Sequence, residues 1–586
     1  MPNVPLLIEK ILFLVFRIPT CVRMIQGIFK IHSGTTARVA SLQDAQLVQR
    51  LTQVFLRSPS LHSSSLKEGP YAPLAASVSW NSCVAEVSPL GILSSSHSKR
   101  SRRRGARCIS APVTRMNNVS LATGERHITN GTAKKVAVIG AGAAGLISAK
   151  ELRELGHDVV VYEQTDSIGG VWAYTDAVED DLLGSSGSRT KVHGSMYKNL
   201  RTNLPREVMG VSDFPFDDQF PGSKDSRQYC SHEEVYRYLD AYAQHFNIRS
   251  CVRCSSRVES LERLEDGWKL RVVDAHKGNE EVECVDAVVV CNGHYSEPRV
   301  PEYEGRNSFT GLQMHSHNYR TPDRFVGKRV VVVGAAFSGS DISQELLEHG
   351  AHAVYLSGRN WEDLALGKQL EDCREVIRVP DIKCLEESSV TFVDGTTVQQ
   401  VDVVMYATGY KYHFPFAKDI DGMPSVDDNR LCALYKHVFP PKLAPSMSFV
   451  GIPWKVVPFP QFQLQARWIG SCLNGSCELP SADVMEQEIE NWYEELDKQG
   501  IQKRYTHRMD PDSQGSYNTW LASKTGSDTV GWPDWRRVLY VVSGMNRRTN
   551  GIRFREYSLR DLGAKEALDE FQNDARKIRN SWMVHT

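Results

Sequence analysis

The segment Val136–Gly145, Val-Ala-Val-Ile-Gly-Ala-Gly-Ala-Ala-Gly, constrains what this chain can fold into more than any other stretch. An apolar run leads into Gly140, Gly142 and Gly145, and apolar residues then recur at Leu146, Ala149, Leu152 and Leu155, a helical spacing. After Gly156 a second apolar run, Val159–Tyr162, ends at Glu163. Strand, glycine loop, helix, strand and acid in that order are the parts of a dinucleotide-binding βαβ unit. Gly140 allows the tight turn, Gly142 lets the backbone approach a pyrophosphate, and Gly145 lets the helix pack close to the strand. Ala143 and Ala144, between the glycines, are expected to help bind the cofactor, and the N-terminus of the helix Leu146–Leu155 faces the phosphates with unpaired N–H groups and a positive dipole end. Glu163, about twenty residues on, can accept hydrogen bonds from a ribose diol. The plainer alternative is a glycine-rich βα turn with no ligand.

At 586 residues the chain calls for two or more cores. A hydrophobic content of 41% and a charged content of 24% are those of an ordinary globular protein. A net charge of −1 gives no electrostatic case for nucleic acid. Thirteen scattered cysteines read as reduced thiols. Residues 1–132 differ from the rest: they are Ser-rich and acid-poor, with a basic cluster Lys99-Arg100-Ser101-Arg102-Arg103-Arg104. The apolar run Leu6–Phe16 is too short and too charged to span a bilayer, so no stable membrane insertion is expected. This extension reads as an organelle transit peptide, a disordered tail, or sequence upstream of a true start such as Met116. The expected location is cytoplasmic, or chloroplast or another organelle if residues 1–130 are a transit peptide.

Behind Glu163 comes Ser167-Ile168-Gly169-Gly170-Val171-Trp172, where two glycines let backbone pass tightly over a flat ligand and an aromatic can cover a ring. Tyr197–Glu207 lacks a period and reads as an ordered loop. Within it Asn203 and Leu204 stand beside Pro205; Asn203 is either an amide donor in a half-buried site or an ordinary loop residue. A helix follows within Asp225–Phe246, with Ser231 as N-cap and Glu234 completing a capping box. Arg257–Val273 and Glu281–Val290 alternate as strands, and Asp286–Gly293 is a buried strand ending in glycine. Cys251-Val-Arg-Cys254 reads as packing; no second cysteine or histidine pair completes a zinc site, and no metal is expected.

A second unit repeats the first. Lys328–Val333 leads into Gly334-Ala335-Ala336-Phe337-Ser338-Gly339, the helix Asp341–Leu347 and the strand Val354–Leu356. Ala336 replaces the middle glycine, and its methyl narrows the approach to a pyrophosphate. The second strand ends in Ser357-Gly358-Arg359, without an acid at the ribose position; a missing carboxylate and a nearby Arg favour the 2′-phosphate of NADPH. The chain returns through Asp402–Tyr410, a buried strand ending at Thr408-Gly409. The expected fold is α/β, with two Rossmann-like domains and the NADP domain inserted in the FAD domain. The expected division is 133–325 and 406–500 for the FAD domain, 326–405 for the NADP domain and 501–586 for a C-terminal helical and loop segment.

Between the two units, Phe309-Thr-Gly311-Leu-Gln-Met-His315-Ser-His-Asn-Tyr319 resembles the identifying motif of flavin-containing monooxygenases, Phe-x-Gly-x-x-x-His-x-x-x-Tyr/Phe. The resemblance runs from about Lys134 to the C-terminus. The Leu-Arg-Thr-Asn-Leu-Pro-Arg-Glu stretch at 200–207, Tyr505-Thr-His507 and Trp520-Leu-Ala522 are most similar to the plant branch named for glucosinolate S-oxygenation. The resemblance implies FAD and NADPH as cofactors and oxygenation by O2 of a small soft nucleophile, a thioether or an amine, through a C4a-hydroperoxyflavin. It implies that Asn203 is the active-site Asn, while His315 holds the linker between folds. N-oxygenation, oxidative decarboxylation of an auxin precursor, Baeyer–Villiger oxidation and a non-enzymatic redox sensor are the alternatives. A flavin disulfide reductase would need a cysteine pair after the flavin glycines, but none lies between Cys108 and Cys230, and Cys472 and Cys477 are in the wrong region.

Overall fold

The structure is a computed structural model that describes residues 132–359, 361, 375–525 and 531–584. The expectations for residues 1–131 lie outside the described residues.

Strand β1 (Lys135–Ile139) runs into the first glycine loop, helix α1 (Ala143–Glu154) follows, and β2 (Asp158–Tyr162) pairs parallel to β1. α1 starts at Ala143 rather than Leu146 because Gly142 is its N-cap, which puts Gly145 inside the first turn. A Cβ on Gly145 would stand 1.8 Å from the Gly140 carbonyl oxygen. Gly140 has φ +101, and a Cβ there would stand 2.6 Å from the Cys291 carbonyl oxygen, just beyond β3 (Ala287–Val290). The chain itself therefore demands both glycines. The sheet runs Met447–Phe449, β3, β1, β2, Val252–Arg253, all parallel.

The second unit repeats this geometry. It comprises β4 (Arg329–Val333), α2 (Phe337–Glu348) and β5 (Ala353–Ser357). Gly140 N–H donates to the Tyr162 carbonyl at 2.8 Å and Gly334 N–H to the Ser357 carbonyl at 2.9 Å. A Cβ on Gly339 would stand 1.8 Å from the Gly334 carbonyl oxygen, and one on Gly334 would meet the Ala407 carbonyl at 2.5 Å, past β6 (Val403–Tyr406). α2 starts at Phe337 rather than Asp341 for the same reason as α1. The second sheet runs Ile377–Val379, β5, β4, β6, Leu312–His315, again all parallel. Sheet membership thus draws the inner unit from Leu312 to Tyr406, wider than 326–405. The two segments that join the units pair with each other: Arg299 N–H donates to Gly409 O and Lys411 N–H to Glu297 O, both at 2.9 Å.

The stretch Glu281–Val290 is two strands, since Glu280–Val285 belongs to an antiparallel sheet with Ser256–Leu264 and Gly267–Asp274. The helix expected within Asp225–Phe246 spans His232–His245, but the capping box does not form. Ser231 makes no side-chain cap, and the buried Glu234 carboxylate instead takes Arg206 at 3.0 Å and the Ser223 hydroxyl. A buried guanidinium, 2% exposed and leaning over Phe216, outcompetes the cap for the Glu234 carboxylate. Cys251 and Cys254 flank the two-residue strand Val252–Arg253 as free thiols.

Helix Pro458–Leu473 packs on α1, where the nearest atoms to Gly470 are from Leu155 and Leu152. Along that seam the carboxylates of Glu151, Glu154 and Asp213 lie close enough to share an ion. Lys150 Nζ already stands among them, with Glu151 at 3.0 Å and Glu154 at 2.8 Å, and Arg467 pairs with Glu151. Among the described residues no helix is long and apolar enough to cross a membrane.

These contacts separate two neighbouring glycines. Gly145→Ala should lose about 3 kcal/mol of stability, because carbon and oxygen cannot share that space without moving α1. Gly142→Ala should unfold at nearly the wild-type urea midpoint, because its Cβ would meet nothing nearer than Gly170 Cα at 3.5 Å. Equal midpoints for the two variants would refute the steric assignment.

Candidate functional site

The first glycine loop is shaped from two sides. Glu163 is buried at the end of β2, where its Oε2 accepts the Ala141 N–H at 2.8 Å and its Oε1 accepts the Thr165 N–H and hydroxyl. Oε2, with one donor, keeps a lone pair for a ribose hydroxyl, whereas Oε1 already accepts two. Gly169 N–H donates to the Ala141 carbonyl at 2.9 Å, and a Cβ on Gly170, at φ +56, would stand 2.8 Å from Gly142 Cα. The Gly169-Gly170 turn thus passes tightly over the glycine loop itself. Val171 and Trp172 continue from it half-buried, and the Trp172 ring meets Phe459 edge-on at 6.5 Å.

Gly142 is the informative position. Its φ of −73 is open to any residue, and nothing inside the chain crowds it. The first-turn N–H groups of Ala143, Ala144 and Gly145 have no helical acceptors behind them. A bare Cα beside free N–H groups is the cradle that a pyrophosphate fits. In the second loop Ala336 holds the same place as N-cap, with φ −79, so the backbone accepts a methyl there. Ser338 is exposed on the first turn of α2. Arg359 is exposed beyond β5, with no hydrogen bond to another described residue. Ser357 is buried and donates to the Pro380 carbonyl at 2.8 Å, which leaves its oxygen as an acceptor only. Thr408 donates to the Arg299 carbonyl, and Gly409 sits at φ +84 in the paired linkers.

Asn203 lies in a segment held along its backbone. Thr202 N–H donates to Cys230 O at 2.8 Å, Arg206 N–H to Gln228 O at 2.9 Å, and His232 N–H to Leu200 O at 3.0 Å. Short helix Arg206–Met209 ends the loop. Leu204 packs between two apolar clusters. The Asn203 side chain is half-buried and bonds no other described residue, so its amide is available to a ligand. Nearby, the Glu207 carboxyl is pushed up to about 7 by burial.

The motif between the units packs as one piece. The Phe309 ring lies against Gly311, where a Cβ would be 2.6 Å from it. His315 is fully buried at the end of its strand, its Nδ1 accepts the His317 N–H at 3.1 Å, and burial lowers its pKa to about 3. Tyr319 is buried and donates to Glu345 on α2 at 2.7 Å.

His507, in the Tyr505-Thr-His507 segment, is fully buried. Its Nε2 accepts the Leu431 N–H at 3.0 Å, and its Nδ1 lies 3.0 Å from His437 Nδ1. A backbone N–H only donates, so neutral His507 carries its proton on Nδ1 and donates it to His437. Cys472 and Cys477 are free thiols, and burial pushes the Cys472 thiol up.

One residue that local sequence does not single out is Arg555. Its partners Thr202 and Asp341 lie 353 and 214 positions away in the chain, so no short motif could reveal it.

Two nested parallel-sheet units, each with a glycine loop at a helix N-terminus, are the architecture of an oxidoreductase that brings a nicotinamide to a flavin. The family model described as flavin-binding monooxygenase-like matches residues 133–372 and 372–515. Flavin-containing monooxygenase FMO GS-OX-like 2 of Arabidopsis thaliana is 42% identical over 456 residues, 75% of this chain and 95% of that protein. FMO GS-OX3 of the same plant is 42% identical over 402 residues, 68% of this chain and 86% of that protein. The structure of S-allyl-L-cysteine S-oxygenase from Allium sativum aligns with TM-score 0.71 at 41% identity, covering 76% of this chain and 100% of that one. Tmm from Pelagibacter sp. strain HTCC7211 aligns with TM-score 0.62 at 27% identity, covering 72% and 93%. The chain belongs to the flavin-binding monooxygenase-like family. It is a flavin-containing monooxygenase of α/β Rossmann type, with FAD and NADPH as its cofactors.

The histidine pair gives a pH prediction. Burial lowers both groups, His437 to about 3. The unfolded chain, with histidine near 6.5, binds more protons between those values. The stability of the neutral pair is therefore whole above about pH 6.5 and drains as pH falls towards 3. Thermal midpoints should fall from pH 7 to pH 5. His437→Asn keeps an acceptor for His507 and tolerates the left-handed φ of 61, so its slope should be shallower. An unchanged slope would show that the pair does not govern acid sensitivity.

Proposed function

We propose that this monooxygenase oxygenates the sulfur of a small thioether, with NADPH and O2 as co-substrates. One thioether, one O2, one NADPH and one proton give one sulfoxide, one NADP+ and one water. Sulfur and NADPH each give two electrons, and O2 takes four; one of its oxygen atoms goes to sulfur and the other to water. The observation that carries the reading is Asn203, a half-buried amide without a partner among the described residues, on a segment tied down on both sides. Likeness to proteins named for S-oxygenation supports sulfur as the target.

Bound FAD, reduced by NADPH, would supply the oxygen activation. This chain supplies position and dryness. Gly140, Gly142 and Gly145 with the α1 N-terminus would hold the FAD pyrophosphate, and Glu163 its ribose. Gly334, Ser338 and Gly339 would hold the NADPH pyrophosphate, and Arg359 its 2′-phosphate. Asn203 would present its amide to the oxygen held at the flavin until the thioether arrives. His315, buried and low in pKa, holds the linker and is not a proton donor at neutral pH.

Asn203→Ala should oxidise NADPH at a comparable rate but release hydrogen peroxide in place of sulfoxide. One lost hydrogen bond in a dry site costs about 1–3 kcal/mol, enough to favour escape. Sulfoxide and peroxide per NADPH decide it; a wild-type sulfoxide yield would return Asn203 to an ordinary loop residue.

Arg359→Ala should narrow the preference for NADPH over NADH. A charge-assisted contact to the 2′-phosphate contributes about 1.5–3 kcal/mol, or tenfold or more in affinity. Stopped-flow flavin reduction by each nucleotide measures it, and an unchanged ratio would remove Arg359 from the site.

A further inference from the structure

Three segments remote in sequence meet at one guanidinium. Arg555 Nε donates to the Thr202 carbonyl at 2.9 Å and an Nη to the Arg201 carbonyl at 3.3 Å. The same group pairs with Asp341 on α2 at 2.6 Å, and the two side chains are only 11% and 18% exposed. Thr202 directly precedes Asn203, while Asp341 follows the glycine turn that opens α2. Arg555 therefore touches both the segment that presents the amide and the helix whose first turn faces the nicotinamide cofactor.

The surroundings fix its geometry. Phe554, 1% exposed, packs edge-on against Tyr229, with ring centres 5.1 Å apart. Its carbonyl accepts the Asn546 amide at 2.8 Å. Glu556 pairs with Arg201 at 2.9 Å. Arg547 lies over the ring of Phe337, the first residue of α2, at 3.9 Å. Residues 546–556 thus grip both elements, and the matched family region ends before them, at residue 515.

We infer that Arg555 is a positioning residue that couples nicotinamide binding to the placement of Asn203. The inference rests on the roles proposed above for the second glycine loop and Asn203. The guanidinium makes four hydrogen bonds here, two to carbonyls and two to the Asp341 carboxylate; an ammonium has three N–H groups, holds a carboxylate as a point charge and cannot make all four. A shift of α2 on cofactor binding is carried by Asp341 and Arg555 to the Arg201 and Thr202 carbonyls, and so to the amide of Asn203.

The test uses the FAD-loaded full chain and its Arg555→Lys, Asp341→Asn and double variants. FAD content and thermal midpoint report whether each folds. With those retained, both single variants should bind NADP+ about fivefold more weakly by calorimetry and raise the peroxide released per NADPH about threefold or more. The double variant should be no worse than either single one, because the two changes break one link. Wild-type NADP+ affinity and peroxide yield in Arg555→Lys, or effects that simply add in the double variant, would overturn the coupling. A wild type that consumes NADPH without forming sulfoxide would defeat the proposed function instead, while the NADP+ titrations would still decide the link.

Discussion

The contact between the third glycine of each loop and the carbonyl of the first is the constraint on which the structure depends. At Gly145 and Gly339 alike, a side chain would lie within bonding distance of that carbonyl. The absence of two Cβ atoms lets α1 and α2 press against their strands, and this fixes where each helix N-terminus lies. The same closeness leaves the N–H groups of the first turn without helical acceptors at the mouth of each glycine loop. The middle position differs in kind. Gly142 and Ala336 share an extended backbone that asks for no glycine, so the fold itself leaves the residue there free.

Buried charge does for the loops what glycine does for the strands. Arg206 and Glu234 are almost wholly removed from water and tie the end of the 200–207 segment to a helix start. Leaving one such partner unpaired typically costs about 3–5 kcal/mol, which disfavours other placements of the segment. Arg467 of helix Pro458–Leu473 pairs with Glu151 of α1 in a comparable way, while Lys150 joins Glu151 and Glu154 to Asp213. Asn203 thus sits in a segment whose backbone and charged neighbours are committed while its own amide is not.

Both nucleotide-binding units were legible in the sequence because their signals are local: apolar strands, glycines at fixed offsets and a helical stripe within about thirty residues. Helix starts were misplaced at Leu146 and Asp341 because the glycines that a propensity argument excludes from a helix lie inside the first turn. The capping box failed for the opposite reason. Ser231 and Glu234 satisfy a local rule, but Arg206, distant in sequence, offered the carboxylate a charged and buried partner. The strand Leu312–His315 read as part of the connection, and only its pairing with β6 shows that it belongs to the inner sheet. Family resemblance supplied only the role expected of Asn203; its surroundings were not legible, since Arg555 and Cys230 reach the adjacent Thr202 from elsewhere in the chain.

The nesting of one sheet inside the other also sets an order of events during synthesis. The inner sheet draws its strands from one continuous stretch, Leu312 to Tyr406, whereas the outer sheet must add Met447–Phe449 beside β3. As the chain emerges from the ribosome, the inner sheet has all its strands while the outer one still presents an open edge at β3. That edge, Ala287–Val290, is wholly apolar and awaits a partner that arrives only after the whole insert has passed. The strand most in need of protection in the newborn chain is thus not an edge of the finished sheet but its second strand, covered only by Met447–Phe449.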